Sequence, residues 1–104
     1  MVAPTVVRSR KAAVDAEDVF IWIARRDGEV RARDAIFRIE RALERLAARP
    51  RLGRVRTDFK NEPRSFSIPP WLVVYQPLAE ERGILVLRIL DSRRDIAALM
   101  GKKS

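Results

Sequence analysis

Gly83-Ile84-Leu85-Val86-Leu87-Arg88-Ile89-Leu90-Asp91 runs without a break into Ser92-Arg93-Arg94-Asp95. A run this rich in large and β-branched apolar side chains, opened by a glycine and closed by turn formers, predicts a strand. So apolar a strand must be covered on at least one face, which places it towards the centre of a sheet. It carries Arg88 in its middle and delivers Arg93 and Arg94 at its end. Upstream, Trp71–Gln76 predicts a second strand, joined to the first by the charged hairpin loop Pro77–Arg82. Arg64-Ser65-Phe66 opens a third, Arg64–Ile68, and Pro69-Pro70 interrupts it. Proline cannot donate to a ladder, so an edge position, a bend or a bulge is expected there. Consecutive strands joined by short loops pair antiparallel.

Further upstream the period of the sequence changes. Val55-Arg56-Thr57-Asp58-Phe59 still alternates, and Asn61-Glu62-Pro63 is turn chemistry. Before Pro50, however, Ala32, Ile36, Ile39, Leu43 and Leu46 recur at helical spacing. They predict a helix from about Glu29 to Ala48, with Arg31, Arg38, Arg41 and Arg45 on its charged face. Pro50 ends it, because the residue before a proline disfavours the α region. An earlier helix carries Ala13, Ala16, Phe20 and Ile23, a stripe widened by Val19 and Trp22. Asp15 reads as its N-cap, with Glu17 and Asp18 in the first turn, and Gly28 as its end. The short connection at Gly28 predicts an antiparallel helix hairpin. Thr5–Ser9 is a β-branched run that reads as a first strand, and Asp95 caps a last short helix through Met100. The expected order is β-α-α-β-β-β-(α). That is an α+β fold, with a small, mostly antiparallel sheet packed against the helix hairpin. A single domain over residues 1–104 is expected, with residues 101–104 frayed.

Composition narrows the function. The chain has 104 residues and a net charge of +8, from 22 lysines and arginines against 14 acids. Such a field favours a polyanion or an acidic protein partner. There is no cysteine and no histidine. Thiolate chemistry, disulfides, Ser-His triads and histidine acid–base catalysis are therefore excluded, and a structural zinc site lacks its usual ligands. No cofactor is expected. No run approaches the roughly 20 apolar residues of a membrane span, so no membrane partner is expected. Met1–Lys11 lacks the apolar segment of a signal peptide, and the cytoplasm is the expected compartment.

Arginines supply most of the candidate contacts. Arg45, Arg49, Arg51, Arg54 and Arg56 follow one another with no acid between Glu44 and Asp58. They either dock an acidic partner or form a solvated helix end, where cations suit the dipole. Arg88 either contacts a partner or pairs with an acid such as Asp91 or Asp95, whereas Arg93 and Arg94 should emerge at the strand end. Phe20, Trp22, Trp71 and Tyr75 read as core or groove residues, and the Tyr75 hydroxyl reads as packing ahead of catalysis.

These words, in this order, resemble the ParE/RelE family of bacterial toxin–antitoxin toxins. The matching pieces are Phe20-Ile21-Trp22-Ile23-Ala24, the segment from Leu46 through Pro50 to Arg54, Arg64-Ser65-Phe66, Val73-Val74-Tyr75 and Leu87 to Asp95. Together they span nearly the whole chain. The resemblance implies a toxin neutralised by a cognate antitoxin, whose segment lies over the toxin as a helix in a groove or as an added strand. Phe20, Trp22 and Ile23 are the expected groove residues. Arg49, Arg51, Arg54, Arg64, Arg88, Arg93 and Arg94 are the expected contacts to target or antitoxin.

The family divides by mechanism. Members similar to RelE bind the ribosome and cleave mRNA, and members similar to ParE poison DNA gyrase. The basic residue that the nucleases place before their Leu-Val-Tyr segment corresponds to Leu72 here, and their C-terminal tyrosine falls at about Met100. On the ribosome reading Arg64, Arg94 and Lys60 would be catalytic, but arginine is a poor proton carrier because its pKa exceeds about 12. The resemblance is therefore closer to the ParE branch. Asp91 departs from that branch by standing where its pattern usually has histidine. A basic interaction module without toxicity is the remaining alternative.

Overall fold

The structure, a computed structural model, describes residues 3–102. Its elements are β1 (Thr5–Arg8), α1 (Arg10–Asp27), α2 (Glu29–Ala48), β2 (Arg54–Val55), β3 (Arg64–Ile68), β4 (Trp71–Pro77), β5 (Gly83–Asp91) and α3 (Ile96–Met100). The strands lie in the order β1-β5-β4-β3-β2. Only β1 pairs parallel, with β5, because the helix hairpin carries the chain across the sheet between them. The other ladders are antiparallel. This is the expected α+β fold with one strand more than the order foresaw.

The additional strand, β2, is only two residues long. Val55–Phe59 alternates in sequence without a strand in the expected order; pairing includes Val55 and stops there, and Thr57-Asp58 turn away. Phe59 is nevertheless buried, and it bridges to Lys102. Lys60 N–H donates to the Gly101 carbonyl at 3.0 Å. Gly101 and Lys102 are thus tied down where fraying was expected, and residues 103–104 lie outside the described residues.

The N-cap of helix α1 lies six residues before the expected one. Ser9 is the N-cap: its Oγ accepts from Ala12 N–H at 3.0 Å and donates to the Leu87 carbonyl at 2.8 Å. A cap that also bonds the central strand outcompetes Asp15, which instead lies inside the helix with its side chain buried. The inward face carries Ala12, Asp15 and Ile23, while Ala13 and Trp22 point outward. Gly28 sits at φ +94°, the positive-φ region where glycine carries no Cβ penalty, and it reverses the chain directly into α2.

The main core lies between the hairpin and one face of the sheet. Ile39, Leu43 and Leu46 of α2 meet Val73 and Tyr75 of β4 and Ile84, Val86 and Ile89 of β5 there. A strict alternation from Ile84 and Val86 would send Arg88 into this core. A bulge prevents it: Tyr75 pairs with Val86 but Val74 pairs with Arg88, leaving Leu87 as the extra residue. Ile89 therefore joins the core. Val74 and Leu90 are buried outside this cluster, so the reverse face of the sheet is covered too.

Candidate functional site

The bulge sets up the polar centre of the molecule. Arg88 donates to both carboxylate oxygens of Asp15, at 2.8 and 3.0 Å, and the Ile89 N–H donates to the same carboxylate at 2.9 Å. That pairing, against the cost of burial, raises the Arg88 pKa further. Arg88 was expected to contact a partner or to pair with Asp91 or Asp95. It pairs with an acid, but that acid is Asp15 of α1; the guanidinium is mostly buried and locks α1 to β5.

Above this lock a groove of about 640 Å³ opens between α1 and the end of the sheet. Asp18, Trp22 and Arg26 line it from α1 at four-residue spacing, which stacks them along one helix face. Pro70 and Trp71 form the opposite wall, and Asp91 to Arg94 close the end. Trp22 is 54% exposed, and the Arg26 guanidinium sits 4.0 Å above its ring. Trp71 is buried beneath. Large exposed aromatics bordered by charges are typical of binding surfaces. Of the three expected groove residues, only Trp22 reaches the surface fully. Phe20 is half-buried against the core, and Ile23 belongs to the core, because helix phase turns it inward.

Arg93 and Arg94 emerge at the strand end, as expected. Arg93 is not free. It grips Asp91 through two side-chain bonds of 3.0 and 2.7 Å and a backbone bond of 2.9 Å. The Arg93 guanidinium holds the Asp91 carboxyl down to about 2. Arg94 makes no ion pair among the described residues, which leaves it as the available cation of the pair.

The remaining arginines separate into engaged and free. Arg64 donates to the Gly53 carbonyl at 2.7 Å and the Arg51 carbonyl at 3.2 Å, pinning the loop after α2. Tyr75 pins the same loop: its hydroxyl donates to the Pro50 carbonyl at 2.7 Å and accepts from Gly53 N–H at 2.8 Å. It is fully buried, and that burial raises its pKa. Arg51 pairs with Glu81 and Arg56 with Asp58, whereas Arg49 and Arg54 are exposed without ion pairs among the described residues.

Arg64, Lys60 and Arg94 do not converge. Arg64 lies across β4 from Val86, whereas Arg94 follows Asp91, five residues further along β5. Leu87 is the extra residue of the bulge, so Arg64 and Asp91 lie four pairs apart along β4, about 13 Å at roughly 3.3 Å per residue. Lys60 sits by Gly101. Among the described residues no three His, Cys, Asp or Glu side chains cluster to hold a metal. No described helix is long and apolar enough to cross a membrane.

Sequence reasoning missed two features. The Asp15–Arg88 pair joins residues 73 positions apart, and no local pattern connects them. A second groove, of about 620 Å³, runs between α2 and β3 past Phe37, Arg41, Arg45 and Phe66. Its one sequence signal was Phe37, an aromatic off the apolar stripe of its helix.

Comparison with known proteins bears on this geometry. Residues 6–96 match the family model described as the ParE toxin of the type II toxin–antitoxin system parDE. Toxin ParE3 of Caulobacter vibrioides is 40% identical over 99 residues, spanning 95% of this chain and 97% of that protein. The solved chromosomal ParDE toxin–antitoxin system from P. aeruginosa superposes with a TM-score of 0.71 at 20% identity, covering 86% of this chain and 96% of that one. At that identity the likeness speaks for the fold.

Proposed function

This chain belongs to the ParE toxin family of type II toxin–antitoxin systems, and from that premise we propose that it arrests growth by binding DNA gyrase and is silenced by a cognate antitoxin. The observation that carries the reading is the Trp22 groove with Arg93 and Arg94 at its end. It is a docking surface with an aromatic anchor and an available cation, and its chemistry is recognition. The ribosome-dependent alternative is less well supported, because its arginines and lysine stand apart and Tyr75 is sealed in the core.

In this reading the antitoxin covers Trp22 and the exposed side of Phe20. Arg94, Arg49 and Arg54 are the cations free to meet gyrase or the antitoxin, and Arg93 joins them when a partner carboxylate replaces Asp91. The encounter takes place in the cytoplasm. The test is DNA supercoiling by purified gyrase with increasing toxin. Inhibition is expected, weakened about tenfold or more in a folded Arg93→Ala/Arg94→Ala protein. Full gyrase activity at saturating toxin rules the target out.

A further inference from the structure

Helix α2 carries a row of arginines along one flank. Arg31, Arg38 and Arg45 recur at seven-residue spacing, so each step drifts only about 20° around the axis and rises about 10.5 Å. Arg41 lies beside them. All four are exposed, and none makes an ion pair among the described residues. Asp34 and Glu44 are the acids nearest the row, and neither pairs with it.

The lower part of the row borders the second groove, and there the arginines alternate with aromatic rings. Arg38 lies over Trp71 at 5.9 Å, Arg41 over Phe37 at 5.6 Å and Arg45 over Phe66 at 5.7 Å. Arg38 also donates to the Pro69 carbonyl at 3.0 Å. Stacking holds the guanidiniums in place while leaving N–H edges available to an anion. Phe37 is 61% exposed, an unusual position for so large an apolar ring. Fixed cations in a row, beside an aromatic face with nothing laid on it, are the two components of a site for single-stranded nucleic acid. A duplex keeps its bases stacked inside and would meet the arginines alone. An acidic peptide would meet them too, but its carboxylates have no flat face to lay on Phe37.

We propose that this groove binds single-stranded DNA. The strand follows the arginine row, Arg41 and Arg45 hold its phosphates, and an unstacked base lies on Phe37. Most of the remaining lining is apolar, with Phe66, Ile68 and Pro69 on the sheet side. Such a lining suits the thymine methyl and gives a ribose 2′-hydroxyl little to bond, so the strand is DNA. The site does not rest on gyrase as the target: no gyrase enters the measurement below, so binding of the strand and inhibition of gyrase can fail separately.

The test uses the full chain, labelled with ¹⁵N, and an oligothymidylate of about eight nucleotides. An oligouridylate and a duplex of the same length, and a capped glutamate–valine peptide, are the comparisons. Oligothymidylate is expected to shift the amide resonances of Phe37, Arg41 and Phe66, and to bind at least about threefold more tightly than any of the three. Its log affinity should fall against log salt with a slope of about −1.4, for two phosphates at about −0.7 each. Arg41→Ala/Arg45→Ala should remove most of that slope and weaken binding about tenfold or more. Phe37→Ala should weaken it about fivefold or more with the slope unchanged, because stacking releases no counterions. All three side chains are exposed, so neither variant opens the core. Arg93→Ala/Arg94→Ala, at the other groove, should bind the strand as the parent does. Tighter binding of the oligouridylate, the duplex or the peptide at the same resonances, unchanged affinity in either variant of this groove, or loss in the Arg93/Arg94 variant would overturn the proposal.

Discussion

Replacing Asp15 with alanine strips the Arg88 guanidinium of both its acceptors and the Ile89 N–H of its only one. A buried cation left without its partner costs several kcal/mol, whereas an apolar pair in the same space is close to neutral. Asp15→Ala is therefore expected to lose about 3 kcal/mol in urea unfolding. Asp15→Leu combined with Arg88→Met should recover part of that loss, short by about 1–2 kcal/mol for the Ile89 N–H that still lacks an acceptor. A loss below about 1 kcal/mol for the single variant would mean that the lock is not holding α1 to β5. Asp91 makes a contrasting prediction, because its pair is exposed. Its folded pKa, about 2, is below the ordinary carboxylate value, so the Arg93 contact stabilises above about pH 4 and is lost as pH falls towards 2. Wild type should melt above Asp91→Asn by about 2 °C at pH 7, with the gap closing by about pH 2. A gap that widens in acid would contradict the sign.

At the scale of elements, the legible parts were those governed by local periodicity. The apolar stripe of α2 and Pro50 marked Glu29–Ala48 to the residue, and the unbroken run of β5 did the same for Gly83–Asp91. What was not legible depended on contacts made across the chain. The start of α1 is set by a bond from Ser9 to Leu87, and the end of β2 by the turn that carries Phe59 to Lys102. The groove was half legible: Ile23, expected both in the apolar stripe and in the groove, belongs to the core alone, while Trp22 kept its alternative place at the surface. Gly83 shows how tight one such contact is. Its φ is +134°, and a Cβ there would lie 1.9 Å from the Thr5 carbonyl oxygen. Gly83→Ala must both strain its backbone and push β1 off β5. A loss of at least about 2 kcal/mol is expected, with amide exchange rising first in Thr5–Arg8. Uniform exchange across the sheet would show that β1 does not open separately.

Charge acts at the scale of the whole molecule. Among the described residues, Glu40, Asp27, Glu29, Glu81, Asp58, Glu80, Asp15 and Asp91 are each taken by an arginine. The cations left over, such as Arg38, Arg41 and Arg45 along α2 and Arg49 and Arg54 beyond it, therefore dominate the field that an approaching partner meets. Long-range attraction of this kind acts on encounter, and salt screens it once the Debye length falls to a few ångströms. On the proposed reading Trp22 makes apolar contacts after docking, and these are largely insensitive to salt. The two contributions should separate kinetically. In stopped-flow mixing with an acidic antitoxin, the association rate is expected to fall at least about tenfold between 50 and 500 mM NaCl, while dissociation changes less than about threefold. Trp22→Ala should give the opposite pattern, with faster dissociation and little change in association. If salt acts mainly on dissociation, the excess positive charge is buried within the interface and does not steer the approach.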